Sequence, residues 1–500
     1  MAAVTAARHG ELGLLVGLVA SALVAALTGG YPPLEPLAAL IMERTPVPIA
    51  NWLLDALGPA GKPFALYGSA AMTLALAAPL ALLAARGPFG RLNRPLALAM
   101  LVGATWMLAR PGAWPGLVTL MALTAGTFVW LERRAGRARP AALQPPTTPV
   151  SSRREFLVRA VTNAAALAVV SALPVLASAA RVVLVGRTPR TPLFALEPPA
   201  PRLAGFALAG LTPEVTSVPN FYRMSKNVAD PVLDETVWSL AVAGRTGRAL
   251  NLTLDDLTAL PRVDRWVTMQ CVSNPVGGPL WSAALFSGVP LAELLRRAEP
   301  LPDAAWVSFE APDGHREQLP LARALDPSVL VAYGMNGEWL TPEHGFPARL
   351  LATGLYGFRS VKWLTRIEVL DRPRAGHWEE RGWSAADIHT TARVDLVQPA
   401  GASGADAAGL LAAGVAFAGL RGVQRVEVRM DGGPWQEAEL HAPPLAQPMW
   451  VQWRARLPSA SGEVRVEARA IDGDGVGQDE MTRGQYPIGA TGIHGLTVRL

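Results

Sequence analysis

The sequence predicts a multi-domain protein: an all-α transmembrane region first, then a mixed α+β domain, then an antiparallel β-sandwich. Three observations predict it. Apolar runs crowd the first 130 residues, which are almost free of acid and base. Short strands and short capped helices mix between about residues 205 and 385. Beyond about residue 390, apolar and charged residues alternate in runs separated by Gly-rich turns. Half of the 500 residues are hydrophobic and only 17% are charged. The mean hydropathy is positive, a balance that fits an anchored chain better than a freely soluble one. The net charge of +5 sits mainly in Arg clusters beside the apolar runs. No basic stripe interleaved with aromatics exists, so nucleic acid is not an expected partner.

Four apolar segments open the chain: Leu12–Thr28, Phe64–Ala85, Leu96–Ala109 and Trp114–Leu131. Most approach the roughly 20 residues a helix needs to cross a bilayer. The third is short, which leaves a tilted or re-entrant path open. Leu34–Leu57 carries Glu35, Glu43, Arg44, Asp55 and several prolines, and reads as interfacial. Arg8 precedes the first span, Arg86, Arg91 and Arg94 lie between the second and third, and Arg133, Arg134, Arg137 and Arg139 follow the fourth. With the N-terminus inside, all of these clusters fall on the cytoplasmic side, and Arg110 falls outside. Residues 1–135 therefore read as a four-span region and 136–152 as a cytoplasmic linker. The sextet Ser152-Arg153-Arg154-Glu155-Phe156-Leu157 then precedes an apolar run, Val161–Ala180. That is the pattern of a twin-arginine export signal; an ordinary positive-inside flank is the alternative. As a fifth span, 153–182 places everything beyond Arg181 on the extracytoplasmic side of the cytoplasmic (inner) membrane. The spans hold almost no charge and no His pair suited to haem, which argues against a transporter or an electron-transfer membrane subunit.

In the α+β region, Val237–Ala243 alternates as a strand that ends at Gly244. Thr253 with Asp256 marks a capped helix that stops before Pro261. Arg265–Gln270 is a strand running into Cys271, and Pro290–Ala298 is a short amphipathic helix with Pro at its start. Regular strand–helix alternation and a phosphate-cradling glycine loop are both lacking, which excludes a doubly wound sheet. Further on, Gln424–Met430, Met449–Leu457 and Glu463–Ile471 alternate as sandwich strands. The run Asp472-Gly473-Asp474-Gly475 hints at calcium, but the rest of an EF-hand loop is missing, and a hairpin turn is the plainer reading.

Cys271 is the single cysteine. One thiol cannot form an internal disulfide, a four-thiolate zinc site or an ordinary iron–sulfur cluster. A buried spectator, a nucleophile and a thiolate donated to one metal centre all remain open on these grounds. A Cys-x-x-Cys-His motif is absent, so no covalent haem is expected.

Five segments occur in a telling order. They are Asn220-Phe221-Tyr222-Arg223, the stretch around Cys271, Gly334-Met335-Asn336-Gly337-Glu338, Glu343-His344-Gly345-Phe346-Pro347-Ala348-Arg349, and Tyr356-Gly357-Phe358-Arg359-Ser360-Val361-Lys362-Trp363. Together they resemble the sulfite oxidase family of molybdopterin enzymes, closest to its membrane-anchored bacterial branch, over about residues 205–500. The resemblance implies a molybdopterin-binding oxidoreductase domain at 205–385 and an immunoglobulin-like, dimerisation-type domain at 390–500. It implies a molybdenum–molybdopterin cofactor, with neither haem nor an iron–sulfur cluster on this chain. Cys271 becomes the metal ligand and, with Arg223, a catalytic residue. Asn220, Tyr222, Arg223, His344, Arg349, Ser360, Val361 and Lys362 fall at cofactor-contact positions. The implied substrate is a small oxyanion or S-oxide, electrons pass to a separate cytochrome or quinone-linked carrier, and a homodimer is an open expectation.

Plainer readings stand beside these. His344 is equally a turn residue taken alone, Lys362 a solvated strand charge, and Arg223 a partner for a carboxylate such as Asp230. Trp363 reads as core packing and Asn274 as a turn former that shapes the thiol loop. Animal and plant relatives place arginines shortly after the metal cysteine, where this chain has Pro275 and Val276; a loose alignment puts Trp383 where a tyrosine is expected. Both departures weaken sulfite as substrate and leave reduction of S-oxides such as oxidised methionine open. A non-catalytic membrane-tethered binding protein is the alternative from another class.

Overall fold

The computed structural model describes residues 205–227, 230–384, 387–400, 409–441 and 449–500. The predicted spans, linker and twin-arginine segment, all within 1–182, lie outside these residues. Among the described residues no helix is long and apolar enough to cross a membrane.

The first half runs β1 (Leu240–Gly244), β2 (Leu250–Leu252), α1 (Leu254–Thr258), β3 (Val263–Gln270), β4 (Trp281–Pro290) and α2 (Leu291–Ala298). It continues with β5 (Trp306–Glu310), β6 (Arg316–Pro320), α3 (Leu321–Ala324), β7 (Leu330–Met335), β8 (Glu338–Trp339), β9 (Arg349–Leu351) and β10 (Arg366–Leu370). One sheet has the order β2-β1-β10-β5-β6, with β1 and β10 parallel. The other has the order β3-β4-β7-β8, with β9 also on β7. The apolar face of α2, with Leu291, Leu294, Leu295 and Ala298, packs into the core with Val242, Phe309, Val331 and Ile367.

Local chemistry accounts for most of the elements. Thr253 and Asp256 form a reciprocal capping box on α1, which satisfies two N-terminal donors of the helix. Pro290 caps α2, and Glu293 pairs with Arg297 one turn on at 2.7 Å. The predicted first strand starts late. Asp234 forms a turn that takes the N–H groups of Thr236, Val237 and Trp238, so Val237 stays 79% exposed and pairing begins at Leu240. The Asn336-Gly337 pair is the tight β7–β8 turn, both residues at positive φ. Asn336 also bridges Leu285 N–H and Thr216 C=O, so that motif segment is architectural.

The second half contains β11 (Thr391–Pro399), β12 (Leu410–Phe417), β13 (Val423–Met430), β14 (Gln436–Glu437), β15 (Glu439–Leu440), β16 (Val451–Leu457), β17 (Glu463–Asp472) and β18 (His494–Arg499). Two four-stranded antiparallel sheets, β11-β12-β16-β15 and β14-β13-β17-β18, enclose one core that includes Val394, Ala412 and Trp453 from the first and Val428, Val466 and Ala468 from the second. The outer face of the second sheet is a ladder of ion pairs, Arg429 with Glu467 at 2.6 Å and Arg469 with Glu427 at 2.8 Å. The predicted start of β16 at Met449 is displaced. Met449 and Trp450 leave the ladder, and Trp450 N–H donates to Thr268 Oγ1 on β3. Asp472 is a turn residue: its Oδ1 accepts from Asp474 and Val476 N–H, and its Oδ2 pairs with Arg421 at 2.8 Å.

Candidate active site

Cys271 stands where β3 ends, 7% exposed. The loop after it is closed by its own backbone. Cys271 N–H donates to Leu280 C=O at 2.9 Å, and Asn274 N–H to Cys271 C=O at 3.1 Å. Asn274, itself buried, accepts Leu280 N–H at 2.8 Å, as expected of a loop-shaping residue. The sandwich braces the same loop. Arg393 on β11 donates to Gly278 C=O at 3.0 Å and lies 4.8 Å from the Trp281 ring centre. Gly277, at φ +74°, sits against the His494 ring of β18, where any Cβ would collide.

The thiol itself is quiet. Its Sγ lies 3.0 Å from Ser273 Oγ. Burial pushes the thiol above its usual range, and the hydrogen bonds from Ser273 only partly oppose this. Nucleophilic cysteines sit in electropositive surroundings that favour the thiolate, so this environment disfavours a free nucleophile. A coordinated metal deprotonates a thiol outright, and a buried thiol at a loop mouth suits that role.

A second group of the predicted residues falls within 344–362. Arg349 begins β9 and is buried. Its two terminal nitrogens donate to His344 C=O at 3.1 Å and Ser360 C=O at 3.2 Å. Its Nε meets no acceptor among the described residues. Burial lowers its pKa to about 10, a sign of a cation held without a compensating carboxylate. His344 Nε2 lies 3.2 Å from Val218 C=O, so the proton belongs on that nitrogen. Burial first, then Arg349, takes His344 down to about 4, leaving a neutral ring at physiological pH. Lys362 Nζ donates to Glu343 C=O at 2.9 Å and lies 4.3 Å from the Trp363 ring centre. Gly345, at φ +104°, allows Lys362 and Arg349 to approach: a Cβ there would stand 2.9 Å from Lys362 Cβ. Trp363 also has positive φ, a strained conformation for an aromatic. It is buried, with Nε1 on Pro342 C=O at 2.8 Å, so it packs as expected.

The sequence-predicted residues divide into groups. His344, Ser360 and Lys362 gather around Arg349, and Tyr222 lies within electrostatic reach of both Arg349 and Cys271. Tyr222 reaches Gly357, beside Gln270 C=O, the residue before the thiol. Burial, with Cys271 adding to it and Arg349 opposing, pushes its phenol upward. Ser360 already uses its hydroxyl on Ala352 N–H at 3.0 Å. Val361 is core: its side chain is buried and its carbonyl accepts Leu350 N–H at 2.8 Å. Asn220 is exposed at the end of a single 3-10 turn. Arg223 is exposed too. Burial tends to raise Glu343, but local hydrogen bonds and then the charges of Arg223 and His344 hold it below its usual range.

Sequence reasoning missed Tyr356. It is buried, its hydroxyl accepts His389 N–H at 3.3 Å, and burial pushes it up to about 12, with Cys271 contributing. Its only signal was its place at the head of the Tyr356–Trp363 motif. Trp383, the aromatic aligned with the expected tyrosine, is buried and meets Tyr486 edge-on at 5.3 Å.

A buried guanidinium lacking a carboxylate, a neutral imidazole, an ammonium at the rim and a lone thiol together fit a phosphate-bearing group ligated to a soft metal. The comparisons identify that class. The model of the oxidoreductase molybdopterin binding domain matches residues 227–378. Sulfite oxidase of Gallus gallus is 30% identical over 328 residues, covering 56% of this chain and 70% of that protein. The chain belongs to the sulfite oxidase family of molybdopterin oxidoreductases. Mitochondrial sulfite oxidase of Rattus norvegicus is 32% identical over 306 residues, 52% of this chain, and the match spans only 56% of that protein's length. The crystal structure of the sulfane dehydrogenase SoxCD from Paracoccus pantotrophus shares the fold, with a TM-score of 0.52 at 22% identity, over 59% of this chain and 82% of that one.

Proposed function

We propose that this chain is a membrane-anchored molybdenum–molybdopterin oxidoreductase that moves an oxygen atom to or from a small oxyanion or S-oxide. The observation that carries the reading is a buried lone thiol at the end of β3 and a buried cation, Arg349, whose Nε meets no acceptor among the described residues, with Tyr222 sensing the charge of both. When bound, the cofactor would supply two-electron chemistry coupled to oxygen-atom transfer. Arg349 and Lys362 would hold its phosphate, neutral His344 would present Nδ1 to its ring system, and Cys271 would ligate the metal. Oxidation of sulfite consumes water and releases two protons and two electrons; reduction of an S-oxide takes up two of each and releases water. Either direction needs a separate carrier, a cytochrome or a quinone-linked protein.

Reduction of an S-oxide is the second reading. Pro275 and Val276 follow the thiol where basic residues would hold an oxyanion, and no cation contributes to the perturbation of Cys271. The two antiparallel sheets support an immunoglobulin-like reading of the sandwich, and a dimer-forming role for it rests on the family resemblance alone. The membrane anchor, 1–182, and the extracytoplasmic placement rest on hydropathy, Arg distribution and the twin-arginine sextet. Elemental analysis of wild type and Cys271→Ser, with a panel of sulfite and S-oxides and artificial electron carriers, tests the reading. Molybdenum in wild type with loss of activity in Cys271→Ser supports it; metal-free exported wild type sinks it.

A further inference from the structure

Glu317, the second residue of β6, is fully buried, and three elements converge on it near the loop 356–362. From that loop, Arg359 donates to Glu317 Oε2 at 3.2 Å and to Glu379 Oε1 at 2.7 Å. From the turn around Glu379, the Trp378 backbone N–H faces Glu317, and a Cβ on Gly376 would stand 2.5 Å from Glu317 Oε2. At the head of β6, His315 Nε2 lies 3.8 Å from Glu317 Oε1 and 3.1 Å from Phe358 C=O. The His377 ring stands 5.6 Å from that of His315. Arg316, the other nearby cation, is committed to Glu380 at 2.6 Å and to Ala375 C=O at 3.1 Å.

The charges do not balance. Two carboxylates share one guanidinium, and an unpaired buried charge is costly enough that such a group neutralises instead. The two acids are not equivalent. Glu379 also accepts Gln318 Nε2 at 2.8 Å and Gly376 N–H at 2.8 Å; burial tends to raise it, but these donors and Arg359 hold it below its usual range. Glu317 is the poorer in donors, and its Oε1 meets no hydrogen-bond donor among the described residues. Burial pushes it up to about 8, against the pull of Arg359 and with the help of Glu379.

We propose that Glu317, Arg359 and Glu379 form a proton-binding clasp beside the loop that carries Ser360 and Lys362, neutral with a proton on Glu317 and negative without it. Its consequence for turnover rests on the proposed function. Oxygen-atom transfer in either direction moves two protons, and an ionised clasp puts negative charge near the loop expected to meet an anionic cofactor.

The test is thermal unfolding of the purified full chain, wild type and Glu317→Gln, from about pH 5 to about pH 9. The folded carboxyl holds its proton above the unfolded value, so stability is fully present below about pH 4.3 and is lost as pH rises towards the folded value. Wild type should lose Tm across that window more steeply than Glu317→Gln, which should match it at the acid end and exceed it at the alkaline end. Infrared difference spectra of wild type should show a buried protonated-carboxyl band at about pH 6.5 that fades as pH rises through the folded value. In active enzyme the alkaline limb of kcat/KM should move up by about one pH unit or more in Glu317→Gln. Equal Tm slopes in the two proteins overturn the clasp, as does a missing band in wild type or a slope abolished by His315→Gln instead. The Tm and infrared readings need no turnover, so they stand apart from any failure of the molybdenum reading.

Discussion

Arg349 and Arg359 are both largely buried and border the same loop, yet their surroundings are opposite. Arg349 holds two backbone carbonyls and no carboxylate. Arg359 holds two carboxylates at once. The first site is short of negative charge and the second has too much. Among the described residues the first is an unfinished ion pair, which on the proposed function the cofactor's phosphate completes. A cation shared by two acids is over-completed, and the surplus is met by a proton. Within one stretch of backbone the protein thus separates a place for a ligand from a place for a proton.

The strongest way to break this contrast is Arg349→Met. Molybdenum content should fall by about tenfold or more. The metal-free protein should shift by only about 1 kcal/mol, because relief of a buried charge offsets the lost bonds to two carbonyls. Elemental analysis and calorimetry check both halves, and full molybdenum retention would refute the role of Arg349. Arg359→Met should do the reverse. It strands Glu379 and should cost about 3 kcal/mol of stability, part of which returns in the double variant with Glu317→Gln. Additive single and double effects in denaturant titrations would remove the coupling claimed for the clasp.

His344 supplies a pH test on the Arg349 side. Its folded value, about 4, lies below that of an unfolded histidine. The unfolded chain therefore binds more protons between about pH 6.5 and about pH 4, and stability should fall as pH drops through that window by at most about 1.4 kcal/mol per unit. His344→Gln should flatten this limb; an unchanged limb would assign the protons elsewhere. The smallest expected effect is Asn274→Ala, which removes one loop hydrogen bond and should cost about 1 kcal/mol, read as a lowered Tm in cofactor-free protein.

Much of this was legible in the sequence where the controlling interactions are short in range. The capping box at Thr253, the strand into Cys271, the Pro-led helix α2 and the alternating sandwich strands all follow from neighbours a few residues apart. The clustering of His344, Arg349 and Lys362 was legible because they sit in a compact motif. What escaped depends on distant partners. Arg393 reaches Gly278 across 115 positions, and periodicity carries no trace of that meeting. Tyr356 read as one more motif residue until the fold set it near the thiol. Nothing in the sequence singles out Glu317, because a strand's alternation does not show that both of its faces are covered. The Val361 side chain points into the core, which leaves its backbone for the expected cofactor contact.

The brace on the thiol loop bears on the order of assembly. The loop after Cys271 takes its final form only when Arg393 of β11 and His494 of β18 have docked against Gly278 and Gly277. A ribosome has to release more than 200 further residues before the last of these contacts can form, since His494 lies that far beyond Cys271. On the proposed function, a metal would meet that thiol in its final loop only after His494 has been made.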